Sequence, residues 1–196
     1  MAIKAVLFDA DNTLYKLVKE NAYEEKFSYL EKETGIKKEK IREKWENIKN
    51  FLVRTEKKTE KRTREYSTNL ALMQLGVEPK RAHELTKACL RIFWKRIMKD
   101  IAFDKDVRKT IQYLKQNYKI VITSEGFSPN LRERLDTVFI DWRKYFNFII
   151  GPEKTGEMKP SKKYYETALK KLRIKPEEAI VIGDSWEKDM KPAKEL

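Results

Sequence analysis

Residues 3–13 read Ile-Lys-Ala-Val-Leu-Phe-Asp-Ala-Asp-Asn-Thr, so a mostly apolar run stops abruptly at two aspartates. The run is short and rich in residues that favour strands, which predicts a buried β-strand ending at Asp9. Successive side chains of an extended chain alternate, so the carboxylates of Asp9 and Asp11 can point the same way. This stretch therefore predicts a pair of carboxylates at the end of a buried strand.

The later part of the chain alternates between helical and strand-like patterns. Strand-like apolar runs span 119–123, 148–151 and 179–184, and helical spacing of apolar residues spans 104–116 and begins again at Ser161. Such alternation is typical of a parallel sheet covered by helices on both faces. Together with the first strand, it predicts an α/β fold with a doubly wound, Rossmann-like core of four buried strands.

Residues 16–104 differ in character, because highly charged stretches there carry apolar residues at helical spacing. Two of these apolar stripes are Ile41, Trp45, Ile48 and Leu52, and Tyr66, Leu70 and Met73. Gly35 stands where a helix commonly ends, and Pro79 where one commonly begins. This insert predicts an all-helical cap domain, with residues 1–15 and 105–196 forming the core domain.

A second acidic pair, Asp184 and Asp189, follows the last predicted strand. In an open parallel sheet, ligands bind beyond the carboxyl ends of the strands, where Asp9 and Asp11 also lie, so all four acids are expected to converge. Clustered carboxylates repel one another unless a cation neutralises them, and Mg²⁺ prefers oxygen ligands of this kind. The sequence therefore predicts a Mg²⁺ site at this edge of the sheet.

Composition excludes several classes of protein. The chain has 196 residues, 40% of them hydrophobic, which is enough to form a globular core. The single cysteine, Cys89, cannot form an internal disulfide, and with a single histidine, His83, it cannot build a Cys/His zinc cluster. No apolar run exceeds four residues, which is too short for a membrane span or a signal peptide. We therefore expect a soluble, cytoplasmic protein with no membrane partner.

The charge balance favours anionic partners. Lysine and arginine number 44 against 31 aspartates and glutamates, giving a formal charge of +13. A surface rich in Lys and Glu is typical of hyperthermophile proteins, and its positive charge would attract a small phosphorylated molecule. Nucleic-acid binding is an alternative, through residues 57–64 of the basic segment 54–64 and through Trp45, and it would be marked by strong loss of binding with salt.

Two further residues complete a known pattern, since Thr123 closes the second predicted strand and Lys159 precedes a helix. These residues resemble the four signature motifs of the haloacid dehalogenase superfamily, in the same order along the chain. The first motif has Asp9 and Asp11, the second Thr123, the third Lys159, and the fourth Asp184 and Asp189. The resemblance spans essentially the whole chain. It implies a hydrolase with a doubly wound core and a mobile cap.

The resemblance also implies roles for individual residues. Asp9 would be the nucleophile that forms an aspartyl-phosphate, and Asp11 the general acid/base. The phosphoryl group would be contacted by Thr123 and Lys159, which are also implied catalytic residues, and by backbone N–H groups of Ser124 and Glu125. Mg²⁺ would be held by Asp9, the backbone carbonyl of Asp11, Asp184 and Asp189, the last acting through water or by orienting Lys159.

The acid at the position of Asp11 distinguishes among reactions of the superfamily. Members similar to dehalogenases lack it, so hydrolysis of a phosphate monoester is favoured over carbon–halogen cleavage. The long insert resembles that of the helical-cap branch, whose members act on small phosphates such as sugar, glycolate, glycerol or nucleotide phosphates. A phosphoacceptor module, which also uses Asp, Thr and Lys with Mg²⁺, is a further alternative. The sequence does not distinguish among these substrates, and it does not show whether the oligomeric state is a monomer or a homodimer.

Members of the superfamily usually continue through a helix and a strand after the last motif, whereas this sequence ends at Leu196. We therefore expect either a truncated chain or a last strand at a sheet edge, where another subunit could cover it.

Overall fold

The computed structural model describes residues 2–56, 58–126 and 128–196, with the backbone alone for Ser128 and Pro129. The chain divides into two compact units. The sheet unit consists of Met1–Leu17 with Ile101–Leu196, and the helical unit of Val18–Asp100.

The boundary between these units lies slightly inside the expected insert. Residues 16–17 and 101–104 belong to the sheet unit, although the sequence pattern placed them with the helices. The reason is a pair of backbone hydrogen bonds between Lys16 and Ala102, at 2.7 and 3.2 Å. The two crossings of the chain are thus tied together before the helices begin.

The sheet unit is built on four parallel strands. In chain order they are β1 (Ala5–Phe8), β2 (Lys119–Thr123), β3 (Phe148–Ile150) and β4 (Ala179–Ile182), and they lie side by side as β3-β2-β1-β4. The four predicted strands are confirmed, all but the second being shorter than predicted. Strand β1 is buried along its whole length between β2 and β4, which explains its continuous apolar run. Strand β4 lies at the sheet edge, where Ile180 and Ile182 are exposed.

The helices divide between the two units. The helical unit contains α1 (Glu20–Thr34), α2 (Lys38–Thr55), α3 (Arg64–Gln74) and α4 (Pro79–Asp100). The sheet unit contains α5 (Lys105–Lys115), α6 (Ser128–Phe139), α7 (Pro152–Thr155), α8 (Lys163–Leu172) and α9 (Lys191–Lys194). Within the described ranges, none of these helices has the length and apolar character that crossing a membrane requires.

Helices cover both faces of the sheet, which confirms the doubly wound α/β prediction. Val6 and Phe8 of β1 belong to an apolar cluster with α5 and α6 on one face. Ala5 and Leu7 belong to a second cluster, with α8 on the other face. Because side chains alternate along β1, its residues pack into two separate apolar cores, one on each face of the sheet.

The helical unit has an apolar core of its own. The predicted stripe of α2 is buried in full: Ile41, Trp45, Ile48 and Leu52. Helix α1 ends at Gly35 in the left-handed conformation, with φ +69°, and α4 begins at Pro79, as the sequence predicted.

Helix α3 buries a different face from the predicted one. Tyr66 and Met73 are 37% and 41% exposed. The buried face consists instead of Ser67, Thr68, Ala71 and Leu72. Two polar contacts explain this, because the Trp45 indole N–H donates to the Ser67 hydroxyl at 3.0 Å and the Lys26 ammonium donates to the Thr68 hydroxyl at 2.9 Å. Small hydroxyl residues therefore occupy the core where the hydropathy pattern favoured larger apolar ones.

Lys26 is the most unusual residue of that core. Its ammonium lies 4.2 Å from the ring centroid of Trp45 and 4.8 Å from that of Phe27. These faces favour a cation, yet complete burial lowers the pKa of Lys26 to about 7. The helical unit thus contains a cation whose charge opposes folding.

The basic segment 54–64 connects α2 to α3 through a 3₁₀ turn at Thr59–Arg62, with Lys57 outside the described residues. Arg64 is engaged in local packing, since its guanidinium lies over the rings of Phe93 and Trp94 at 5.3 and 5.5 Å. Nucleic-acid binding by this segment stays a prediction.

Candidate active site

The predicted site residues meet at one edge of the sheet. Asp9 directly follows β1, Thr123 ends β2, and Asp184 comes two residues after β4. Because the strands are parallel, their carboxyl ends lie at the same edge. The fold therefore brings together three positions that are far apart in the sequence.

A buried lysine links two of the acids. Lys159 lies between α7 and α8, and its ammonium donates to Asp9 Oδ1 and to Asp189 Oδ1, each at 2.6 Å. Its side chain is 1% exposed, so both charge-assisted hydrogen bonds are shielded from water. One ammonium thus serves two carboxylates.

The environment of Asp9 favours its neutral form more than that of an ordinary aspartate. Burial raises the pKa of Asp9 to about 6, and the attraction of Lys159 opposes this increase without cancelling it. Repulsion from Asp189 and Asp11 adds to the increase. At neutral pH, Asp9 is therefore an ionised and poorly hydrated carboxylate, which suits a nucleophile.

A third carboxylate completes a group that could hold a metal ion. One oxygen from each of Asp9, Asp184 and Asp189 lies within 4.8 Å of the others. Three carboxylates and the Lys159 ammonium leave an excess of negative charge that a divalent cation would balance, and Mg²⁺ binds oxygen ligands of this type. The donor set therefore fits the predicted Mg²⁺.

Asp189 fits against the chain because residue 183 is glycine. A Cβ at Gly183 would lie 2.5 Å from the carboxyl carbon of Asp189, closer than any real contact. The same carboxylate accepts the backbone N–H of Ser185 at 3.2 Å, and its other oxygen contacts the Tyr165 hydroxyl at 3.5 Å. Asp189 is thus held beside Lys159 by its local backbone as well as by the ion pair.

The carboxylate of Asp11 is not part of the group formed by Asp9, Asp184 and Asp189, although it lies close enough to Asp9 to raise the pKa of that residue. That all four acids form one metal site stays a prediction. Asp11 Oδ1 accepts the hydroxyl of Tyr15 at 2.6 Å, and a guanidinium nitrogen of Arg134 lies 3.2 and 3.3 Å from the two carboxylate oxygens. The chain therefore supplies its own cation for this carboxylate. A metal contact through the backbone carbonyl of Asp11 stays a prediction.

Arg134 is not among the site residues that the sequence predicted. This residue lies on the apolar face of α6 and is 1% exposed. The signal was present, because an arginine interrupts the helical stripe of Leu131, Leu135 and Val138. A basic residue on a buried helix face requires a polar partner, which the sequence alone does not identify.

The predicted phosphate contacts receive mixed support. Thr123 and Ser124 are buried at the end of β2. The backbone N–H of Ser124 donates to the carbonyl of Ile150 at 3.0 Å, which corrects the prediction that this N–H is free for a phosphoryl oxygen. The side chain of Glu125 forms an ion pair with Lys188 at 2.6 Å. The Ser124 hydroxyl and the Glu125 N–H stay candidate contacts.

Three aromatic residues that could line a substrate pocket, Tyr15, Trp45 and Phe127, lie in different places. Tyr15 is buried against Asp11, and Trp45 is buried in the core of the helical unit. Phe127 lies outside the described residues.

A family model described as haloacid dehalogenase-like hydrolase matches residues 3–196 of the chain. Among proteins of known sequence, the chain is 28% identical over 203 residues to a glyceraldehyde 3-phosphate phosphatase of Methanopyrus kandleri, covering 97% of this chain and 79% of that protein. It is 34% identical over 89 residues to the protein of the same name from Methanocaldococcus jannaschii, covering 45% and 38%.

Two solved structures share the fold over nearly the whole chain. A 2-haloacid dehalogenase from Pseudomonas syringae superposes with a TM-score of 0.74 at 21% identity, covering 98% of this chain and 83% of that chain. A phosphatase of the same superfamily from Thermococcus onnurineus superposes with a TM-score of 0.69 at 23% identity, covering 99% and 83%. At such identities the likeness concerns the fold alone.

Proposed function

We propose that this chain, which belongs to the haloacid dehalogenase-like hydrolases, hydrolyses phosphate monoesters of small molecules through an aspartyl-phosphate on Asp9. The observation that carries the proposal is the buried contact of Lys159 with both Asp9 and Asp189, each at 2.6 Å. An ammonium at this position would neutralise charge on a phosphoryl group that approaches Asp9.

In the first step, a carboxylate oxygen of Asp9 attacks phosphorus and the bond from phosphorus to the ester oxygen breaks. The leaving alkoxide takes a proton from the carboxyl group of Asp11 and departs as an alcohol. The burial of Asp9 strips water from its carboxylate, which favours attack at neutral pH.

In the second step, water attacks the phosphorus of the aspartyl-phosphate, and Asp11 accepts a proton from that water. The acyl phosphate bond breaks, which restores the Asp9 carboxylate and releases inorganic phosphate. Thr123, the Ser124 hydroxyl and Lys159 would hold the phosphoryl oxygens in both steps, since they lie at the same sheet edge as Asp9.

Mg²⁺ would be held by Asp9, Asp184 and Asp189, and when bound it would offset the charge of the phosphoryl oxygens as a Lewis acid. The role of Lys159 is complementary. It reduces the repulsion between Asp9 and Asp189, which allows two carboxylates to stay close within a buried site.

The relatives suggest a substrate class. The proteins of Methanopyrus kandleri and Methanocaldococcus jannaschii are named glyceraldehyde 3-phosphate phosphatase, so we place a three-carbon phosphate first among candidates that include glycerol, glycolate, sugar and nucleotide phosphates. The acid at Asp11 supports an oxygen leaving group, which needs a proton, over a halide, which does not.

The test is release of inorganic phosphate from glyceraldehyde 3-phosphate and from p-nitrophenyl phosphate, with Mg²⁺ or with EDTA. Asp9→Asn is the matched control, because it replaces the nucleophile by a group of equal size. Glyceraldehyde 3-phosphate also loses phosphate spontaneously, so a reaction without enzyme is subtracted at every temperature.

We expect turnover that requires Mg²⁺ and disappears in Asp9→Asn. Turnover that persists in Asp9→Asn or in EDTA would contradict the proposed mechanism. A folded wild-type protein that releases no phosphate but binds RNA, and loses that binding with added salt, would favour the nucleic-acid alternative.

A further inference from the structure

We propose that Arg134 is a positioning residue for Asp11, and that it ties this carboxylate to the loop of residues 124–126. The inference rests on the proposed function, in which Asp11 moves the proton. It adds a residue outside the four motifs and gives it a task in the reaction.

The first observation is the arrangement around Asp11. The Tyr15 hydroxyl donates to Asp11 Oδ1 at 2.6 Å, and a nitrogen of Arg134 lies 3.3 Å or less from both carboxylate oxygens. Rotation of the Asp11 side chain would break these contacts together. The carboxylate is therefore held in one orientation.

The second observation is how Arg134 itself is fixed. Its Nε donates to the Tyr15 hydroxyl at 3.1 Å, and another nitrogen donates to the carbonyl of Asn130, one turn earlier in α6, at 3.2 Å. The guanidinium is thus anchored to a helix and to a tyrosine as well as to Asp11. Such a planar group, bonded through all three of its nitrogens, loses little freedom when it orients a carboxylate.

The third observation concerns Gly126. A Cβ at this position would lie 2.7 Å from a terminal nitrogen of Arg134, so the guanidinium fits only because residue 126 has no side chain. The Gly126 N–H also donates to the Ser124 hydroxyl at 3.1 Å. Arg134 is therefore packed directly beneath the loop that carries the candidate phosphate contacts.

Arg134 and Asp11 differ in the solvent exposure of their side chains, which indicates different roles. The side chain of Arg134 is 1% exposed and that of Asp11 is 31% exposed. A substrate can therefore reach Asp11 from solvent, whereas Arg134 supports the carboxylate from behind. Arg134 is for this reason a positioning residue and not a catalytic one.

A defect in positioning Asp11 has a specific chemical signature. The first step needs the proton from Asp11 only when the leaving oxygen is basic. Phenyl phosphate and p-nitrophenyl phosphate have similar shapes, but phenolate is a much poorer leaving group than p-nitrophenolate. A loss of orientation at Asp11 should therefore slow the first step with phenyl phosphate far more than the first step with p-nitrophenyl phosphate.

The test compares kcat and KM of wild type, Arg134→Met, Arg134→Lys and Gly126→Ala on these two substrates with Mg²⁺. For Arg134→Met we expect kcat/KM, which reports the first step alone, to fall by about tenfold or more on phenyl phosphate and by no more than about threefold on p-nitrophenyl phosphate. Arg134→Lys should recover part of the loss. Gly126→Ala keeps every functional group but displaces the guanidinium, so it should show the same preference to a smaller degree.

Equal losses of kcat/KM on the two substrates, or no loss on either, would overturn the inference while leaving the proposed function in place. If Arg134→Met does not fold by circular dichroism, Gly126→Ala decides by the same criterion. A wild-type protein that hydrolyses neither substrate would refute the proposed function, and the inference with it.

Discussion

Replacing Asp9 by asparagine should stabilise the metal-free protein at neutral pH. The reason lies in the sharing of one buried ammonium, that of Lys159, by the carboxylates of Asp9 and Asp189. Asp9→Asn removes one of the two negative charges and leaves a matched ion pair between Lys159 and Asp189. It also removes a charge that burial penalises.

The magnitude follows from the pKa of Asp9, which rises from 3.8 to about 6 on folding. A shift of one pKa unit corresponds to about 1.4 kcal/mol, so ionised Asp9 costs the folded state about 3 kcal/mol relative to the unfolded state. A carboxyl group with a raised folded-state pKa binds its proton more tightly in the folded protein. Wild-type stability is therefore lost as the pH rises from about 4 to about 6, and the loss is complete above the folded-state pKa.

The assay is urea unfolding in EDTA between about pH 4 and pH 8, followed by circular dichroism. The free energy of unfolding of Asp9→Asn should match wild type near pH 4 and exceed it by up to about 3 kcal/mol above pH 6. Glu133→Gln, which neutralises an exposed carboxylate of the same unit, is the control and should show no such pH-dependent gain. Added Mg²⁺ should stabilise wild type and have little effect on Asp9→Asn.

One result would refute this reasoning. If Asp9→Asn is no more stable than wild type at pH 8 in EDTA, the attraction of Lys159 outweighs the cost of burying Asp9. The carboxylate would then be an ordinary ion-paired aspartate, and its raised pKa would not support its role as a poorly hydrated nucleophile.

Three further predictions concern residues around the site and in the helical unit. Lys159→Met should lower the free energy of unfolding by about 3–5 kcal/mol, because two buried carboxylates lose their shared cation; an unchanged urea midpoint would contradict this. Gly183→Ala should weaken Mg²⁺ binding by about tenfold or more, measured by calorimetry, because the new Cβ displaces Asp189; unchanged affinity would exclude Asp189 from the metal group. Lys26→Met should raise the free energy of unfolding by up to about 5 kcal/mol at pH 7 or below, since the folded-state pKa of about 7 lies below the usual 10.5. This gain in stability should shrink as the pH rises from 7 towards 10.5. An equal gain at pH 7 and at pH 10.5 would contradict the explanation that the buried charge of Lys26 destabilises the fold.

The order of the elements could be predicted from the sequence because it depends on local patterns. A short apolar run indicates each strand, and apolar residues at three- and four-residue spacing indicate each helix. The positions of Asp9, Thr123 and Asp184 followed from this, since parallel strands end at a common edge. Lys159 could be proposed only through the order of the motifs, because one lysine among many carries no local signal.

Contacts between distant polar side chains could not be predicted in this way. Hydropathy counts Ser67 and Thr68 as surface residues and Tyr66 as core, yet the two hydroxyls are buried because Trp45 and Lys26 bond to them. The energy of such a contact depends on the mutual position of two helices, and no single stretch of sequence contains that information.

For the same reason, the different environments of Asp9 and Asp11, the two acids of the first motif, could not be predicted. Their spacing placed Asp9 and Asp11 at one strand end, and the sequence was sufficient for that. Their different environments arise from Lys159 and Arg134, which follow 150 and 123 residues later and reach the site only when β1, α6 and the segment before α8 pack together. Local pattern thus sets which residues lie at the sheet edge, and tertiary packing sets which cation each carboxylate meets.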